Sequence, residues 1–386
     1  MKRRYRMSAT FVALVSAVAA VALLLSFGAA TEGPLSAGLD RLASVTESLE
    51  QGVRERLTGR SRRRELQWFE DYRRDPAYIR TPRDVLFGAW DGRLPHSIEG
   101  VVELERRLDT IFPLVHVYTA WGDSADQRFP WRIATTIWTL GSVPVITWEP
   151  WLSAFEARRH PALALPSERD RRGLEAVARG DYDFYVDAWA ADAARFGHPV
   201  MVRFAHEMND PYRYPWGPQH NTVQAFIAAW RHVVGRFRSA GASNVVFAWS
   251  PHVGYEHWDA YYPGDEHVDW VATGALNYGP IARWSQWWTF QEIFGNKYAP
   301  LAAHGKPILI AEFGSLEVGG DRAAWYQDAL SALPSKYPAV KGVLFFNTSA
   351  DQTVSLQTLD WTLSGDDALV RSIARTMAPY DRSQHR

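Results

Sequence analysis

The sequence of 386 residues contains no cysteine, which removes disulfides, thiol nucleophiles and cysteine-ligated metals together and says little by itself about compartment. An excess of either charge is missing too: 42 Lys and Arg stand against 43 Asp and Glu, for a net charge of −1. A nucleic-acid partner would ordinarily leave a basic excess, so no nucleic acid is expected and a neutral partner is. A dinucleotide fingerprint is also lacking, because neither GAWDGR nor any other apolar run exits into GxGxxG. What is plentiful is tryptophan, with 18 residues. A core uses some of them, but so many suggest indole faces lining an open groove, where they can stack on the apolar faces of sugar rings.

The amino terminus reads as an export element. MKRRYRM carries four basic residues, and residues 8–30 follow without a charge. That run of 23 residues exceeds a typical leader core of about 7 to 15 and reaches the roughly 20 needed to span a bilayer. Gly28, Ala29 and Ala30 offer a small-residue cleavage site, so a cleaved signal peptide and a retained membrane anchor both stay open. Either way the bulk of the chain is expected outside the cytoplasmic membrane. Over residues 31–80, Leu39, Leu42, Val45, Leu49, Val53 and Leu57 recur at helical spacing before the charge run GRSRRRE. This predicts a helical stalk or linker.

From residue 84 the rhythm changes. Eight short apolar runs begin at DVLFGAW (84–90), PLVHVY (113–118), VPVITWEP (143–150) and PVMVRFAHE (199–207). NVVFAWS (244–250), WVATGALNY (270–278), PILIAEFG (307–314) and GVLFFN (342–347) complete the set. Segments such as YDFYVDAWAADAARFG and TVQAFIAAWRHVVGRFRSAG lie between them, with apolar residues at helical spacing and a closing glycine. Eight β/α repeats predict a (β/α)8 TIM barrel over residues 81–380, and a doubly wound open sheet is the competitor. In such a barrel the site forms at the carboxyl ends of the strands. Those exits carry Trp90, Tyr118, Trp148, Glu149, His206, Glu207, Asn209, Trp249, His252, Tyr278, Glu312 and Asn347.

Glu207 and Glu312 follow the fourth and seventh runs, which face each other across the mouth of an eight-stranded barrel. Facing carboxyls are what glycoside hydrolysis uses: one protonates the leaving oxygen, and the other attacks the anomeric carbon or activates water. RFAHEMND followed by YPWG, with DWVATGALNYG and IAEFG later, resembles glycoside hydrolase family 26 over roughly residues 80–375. That family comprises retaining β-glycanases on a (β/α)8 barrel, among them β-mannanases and mixed-linkage β-glucanases. The resemblance implies that Glu207 is the general acid/base and Glu312 the nucleophile. It also implies that Tyr278 hydrogen-bonds the nucleophile and that His206 contacts sugar beside the scissile bond.

Arg203 is a further candidate donor to the nucleophile, and Asn209, Trp216, Trp249, Trp148 and Glu149 are candidate groove or substrate residues. Bland alternatives stand beside these. Glu207 could pair structurally with Arg203, Glu149 and Trp249 could serve only the scaffold, and His116 reads as a satisfied barrel histidine. Trp284, Trp287 and Trp288 fit packing and sugar stacking equally. HEMND has one of the two histidines of HExxH, so no zinc site is expected. No cofactor is implied, since both steps use only carboxylates and water. The sequence therefore predicts an exported, monomeric retaining endo-β-glycanase acting on a polysaccharide, with β-1,4-mannan first. Mixed-linkage β-glucan, the cell's own exopolysaccharide, and a tethered protein that binds without cleaving are the alternatives.

Overall fold

The computed structural model describes residues 61–380 apart from 355, 356 and 364. These belong to a compact unit that starts at Gly59. The export element and most of the stalk lie outside the described residues. Eight parallel strands close into one barrel in sequential order. They are β1 (Leu86–Asp91), β2 (Leu114–Ala120), β3 (Val143–Glu149), β4 (Val200–Phe204), β5 (Val245–Trp249), β6 (Trp270–Asn277), β7 (Ile308–Ser315) and β8 (Val340–Asn347). All eight fall within or overlap the predicted runs, so the barrel reading holds and the open sheet does not.

The helices between them follow from local chemistry. The Thr222 side chain accepts from the Ala225 amide and opens the helix Val223–Ser239, whose apolar stripe Phe226, Trp230, Val233 and Phe237 is fully buried. The helix Asp183–Phe196 ends where Gly197 takes a φ of 69°, a conformation that a side chain would disfavour. Among the described residues, no helix is long and apolar enough to cross a membrane.

Strand alternation sorts the barrel residues into two cores. Leu86, Leu114, Val145, Met201, Ala248, Trp270, Ala272 and Leu309 fill the interior, while Val115, Ile146, Trp148, Val202, Phe204 and Ile310 face the helices. The floor of the barrel is closed by residues assigned to the stalk from sequence. Leu66, Phe69 and Ile79 are buried in the interior core, and the Trp270 indole donates to the Ile79 carbonyl at 2.7 Å. Arg62 makes a buried two-pronged ion pair with Glu105, at 2.9 and 2.6 Å, and also reaches the Leu140 carbonyl at 2.8 Å. Residues 61–80 are thus part of the barrel unit rather than of a linker, because their few apolar side chains plug its lower end.

Candidate active site

Two breaks in regular strand geometry build the site. After β4, Ala205 and Glu207 adopt φ values of 43° and 52°, rare for residues with a side chain. The Glu207 amide is held by the Ser250 carbonyl at 2.6 Å. In β7 the pairing with β6 jumps from Thr273–Ile310 to Gly274–Glu312, so Ala311 is an extra residue. Bulges of this kind re-aim the next side chain. Without it, Glu312 would share the outward face of Ile310; with it, Glu312 turns over the interior. A side chain begun at Gly274 would meet the Glu312 Cβ at 3.9 Å and the Glu207 Oε1 at 4.0 Å. The Glu207 carboxyl and the base of the Glu312 side chain therefore stand against the same point above Gly274.

Their surroundings differ. Glu312 accepts from Arg203 Nη2 at 2.5 Å and from the Tyr118 hydroxyl at 2.8 Å. Burial by itself would raise its pKa, but the Arg203 charge and these two donors hold it below the ordinary value. Glu207 is also buried, and its Oε2 has no hydrogen-bond partner. Arg213 stays 3.6 Å away. Burial therefore dominates at Glu207 and raises its pKa, reinforced by Glu312 and opposed by His252 and Arg213. Two like groups are driven apart, which is how acid and base assignments are made.

Glu149, the last residue of β3, is a third carboxyl in the site. Burial raises it to about 7 against the Trp151 indole hydrogen bond and the Arg203 charge. His206 is buried and kept neutral by that burial, with Arg203 and Arg213 adding to the effect. Its Nε2 lies 3.0 Å from the Tyr214 hydroxyl. Trp90, half-buried, stacks on Phe346 at 4.7 Å and meets the Tyr118 ring edge-on at 5.3 Å. This gives the barrel mouth an aromatic wall on the β1 and β8 side.

Arg203 pairs with Glu312, as the leading sequence reading expects, and not with Glu207, the bland alternative. Several other sequence expectations change here. Glu312 takes its tyrosine hydrogen bond from Tyr118, whereas the half-buried Tyr278 ring sits edge-on to Trp284 and Trp361. Trp148 is fully buried among Trp121, Trp189 and Phe204 in the outer core. It cannot share the face of Glu149, its neighbour in the strand. Trp249 is likewise buried, against Trp258 and Tyr262. Trp216 is buried under Tyr214 and donates to the His206 carbonyl at 2.7 Å, so it supports the loop rather than a ligand. Both amide atoms of Asn209 are spent on the His252 backbone, at 2.9 and 2.8 Å. His116 hydrogen-bonds Thr147 through Nε2 at 2.7 Å, but its buried Nδ1 has no partner.

Tyr118 was legible as a strand exit and could have been promoted by parity, since it shares the inward face of His116. His252 was legible as a strand exit, whereas nothing in the sequence signalled Arg213 beside Glu207. Glu207, Asp210 and His252 bring ligand-type atoms within 4.8 Å of one another. Asp210 Oδ1 already accepts the amides of Tyr212 and Arg213, and His252 Nδ1 accepts that of Gly254 at 3.1 Å. With Arg213 alongside at 3.6 Å from Glu207, the cluster is already served by a cation and by backbone donors and does not suit a metal ion.

Against this geometry, the sequence model of Glycosyl hydrolase family 26 matches residues 182–314, a span that contains β4 to β6, all but the last residue of β7, and both carboxyls. Endoglucanase H of Acetivibrio thermocellus is 32% identical over 276 residues, covering 68% of this chain and 28% of that protein. The chain belongs to glycosyl hydrolase family 26. A second family relative, the mannan endo-1,4-β-mannosidase A and B of Caldalkalibacillus mannanilyticus, is 28% identical over 39% of the chain and 28% of its own length. The chain thus spans less than a third of these two relatives. The solved family 26 β-mannanase of Bacteroides ovatus shares the fold, with a TM-score of 0.55 at 17% identity over 83% of this chain and 92% of that one.

Proposed function

We propose that this family 26 protein is a retaining endo-β-glycanase in which Glu207 is the acid/base and Glu312 the nucleophile. The observation that carries the reading is the opposite drive on two buried, electrostatically coupled carboxyls whose side chains meet beside Gly274. In the first step the Glu207 carboxylic acid protonates the glycosidic oxygen as the Glu312 carboxylate attacks the anomeric carbon, so the C–O bond to the leaving sugar breaks and a glycosyl ester forms. In the second, the Glu207 carboxylate takes a proton from water. That water attacks the anomeric carbon, which releases Glu312 and restores the configuration. Arg203 and Tyr118 keep Glu312 ionised and aimed. Arg213 and His252 face Glu207 without a direct hydrogen bond, which leaves its proton for the substrate.

The substrate is a β-linked polysaccharide. β-1,4-Mannan and mixed-linkage β-glucan are the first two to test, since the relatives are named a mannosidase and an endoglucanase. Residues 2–30, basic and then apolar, support export of the barrel as a cleaved or anchored protein. The test is reducing-sugar release by the full chain from galactomannan, glucomannan, mixed-linkage glucan and β-1,3-xylan, beside Glu207→Ala and Glu312→Ala. Release from one polymer with retained anomeric configuration, and loss in both variants, is the expected result. A polymer that binds but is never cut would make the barrel a binding protein.

A further inference from the structure

The three tryptophans of the loop between β6 and β7 have different surroundings. The Trp287 indole covers Gly320 so closely that no side chain fits there, and the Trp288 carbonyl accepts from the Trp325 indole at 3.1 Å. Trp284 is 59% exposed. Of the 18 tryptophans, all among the described residues, it alone is exposed. Its backbone is nonetheless fixed. The Ser285 amide donates to the Ala282 carbonyl and the Ala282 amide to the Ser285 hydroxyl, each at 3.0 Å, which closes a turn with Arg283 and Trp284 at its tip. The Trp288 amide donates to the Asn277 side chain at 3.2 Å and ties the loop back to the end of β6. A single exposed apolar side chain needs no explanation by itself. What singles out Trp284 is where its ring stands.

The Trp284 ring meets Tyr278 edge-on at 5.2 Å, and Tyr278 meets Trp361 at 4.9 Å. Trp361 meets Phe346 at 6.0 Å. Phe346 stacks on Trp90 beside Tyr118, whose hydroxyl donates to Glu312. Trp284 is thus the exposed end of an unbroken series of rings that starts at the nucleophile. Tyr278 also borders the reacting groups directly. Burial raises its hydroxyl above the ordinary tyrosine value, Arg213 opposes this, and Asp351, Glu207 and Glu312 add to it, so Trp284 stands one ring out from the charged centre. In an edge-on pair one ring contributes only its rim, so Tyr278 covers at most one indole face. We propose that the open face of Trp284 stacks on a pyranose of the substrate chain, next to the sugar held by the carboxyl pair. This rests on the glycanase reading and deepens it. The C–H face of a pyranose is apolar and slightly positive, which suits the negative face of an indole. Continuity with the aromatic wall of the site favours the substrate over a protein partner, which would need a contiguous apolar patch of several hundred Å².

The experiment is affinity electrophoresis in galactomannan, glucomannan, mixed-linkage glucan and β-1,3-xylan, on the full chain carrying Glu207→Ala so that no polymer is consumed. Trp284→Ala, Trp284→Tyr and Trp284→Leu are compared on that background, with unfolding midpoints measured for all. In the polymer that retards the chain most, Trp284→Ala should weaken Kd by about tenfold at an unchanged midpoint. Trp284→Tyr, which keeps a flat ring, should restore most of the affinity, and Trp284→Leu, which is apolar but not flat, should not. In the active chain Trp284→Ala should raise KM by a similar factor, with the smaller change in kcat. Equal retardation of Trp284→Ala, full rescue by Trp284→Leu, or no retardation by any polymer overturns the proposal. The two readings fail separately. If the active chain cuts no polymer but retardation depends on a flat ring at position 284, the hydrolase reading fails and the platform stands; if a polymer is cut with KM and retardation unchanged in Trp284→Ala, the platform fails and the hydrolase stands.

Discussion

Arg203 touches Glu312 at 2.5 Å from inside the barrel, whereas Arg213 stays 3.6 Å from Glu207. Which carboxyl ionises first follows from that difference, and it can be moved. Replacing Arg203 with methionine keeps much of the apolar stem but removes the charge and donor that depress Glu312. Since attack needs the Glu312 anion, the acidic limb of kcat/KM against pH should move upward by at least about one pH unit, and an unmoved limb would deny Arg203 this role. Gly274 makes a second residue-scale prediction. A methyl there finds its nearest neighbours, the Glu312 Cβ and the Glu207 Oε1, at 3.9 and 4.0 Å, ordinary contact distances, but it stands on the floor of the site against the Glu207 carboxyl. Gly274→Ala should leave the unfolding midpoint nearly unchanged and lower kcat/KM on the polymer that is cut by about 100-fold through misplacement of the sugar. Retained activity would mean that the sugar does not approach this floor.

At the scale of elements, the regular parts of the barrel were legible and the irregular parts were not. The eight strands were located because short apolar runs of six to nine residues alternate with longer segments of helical spacing. Alternation was available but unused for Trp148, which was named a groove candidate: with Thr147 and Glu149 turned inward, the residue between them belongs to the outer core. It misleads at Glu312, where the extra residue Ala311 inverts the face and a short apolar sequence carries no mark of a bulge. The turn at Ala205 and Glu207 is likewise held by tertiary bonds to Trp148 and Ser250, which no local pattern encodes. Residues 61–80 were misplaced because a short amphipathic segment looks alike whether it leans on solvent or plugs a barrel. A chain beginning at residue 81 should accordingly lose about 5 kcal/mol or more, as three buried side chains at roughly 2 kcal/mol each go together with a buried ion pair whose disruption strands Glu105. Chemical unfolding of this shorter chain beside one beginning at Gly59 measures the difference; equal stabilities would return residues 61–80 to the role of a linker.

Over the whole molecule, the groups gathered at the barrel mouth make opposing demands on stability. Burial keeps His116 and His206 far below the ordinary histidine value. As pH falls through about 6.5, the unfolded chain takes up protons that these sites refuse, and the fold weakens. Glu149 acts in the other direction. Its pKa rises from an ordinary 4.5 to about 7 in the fold. Between those values the folded protein keeps a proton that the unfolded chain has lost, so stability declines as pH rises through the window. A buried carboxyl held at the mouth thus costs stability at neutral and alkaline pH. Glu149→Gln removes that cost while keeping an acceptor for the Trp151 indole. Its unfolding free energy should match the natural protein at pH 4 and exceed it by up to about 3 kcal/mol at pH 8.5, since each pH unit between the two values is worth about 1.36 kcal/mol. The measurement is a denaturant titration of both proteins at the two pH values. A gain that is equal at both would trace the stabilisation to packing, and no gain would mean that solvent already reaches Glu149 well enough to hold its charge.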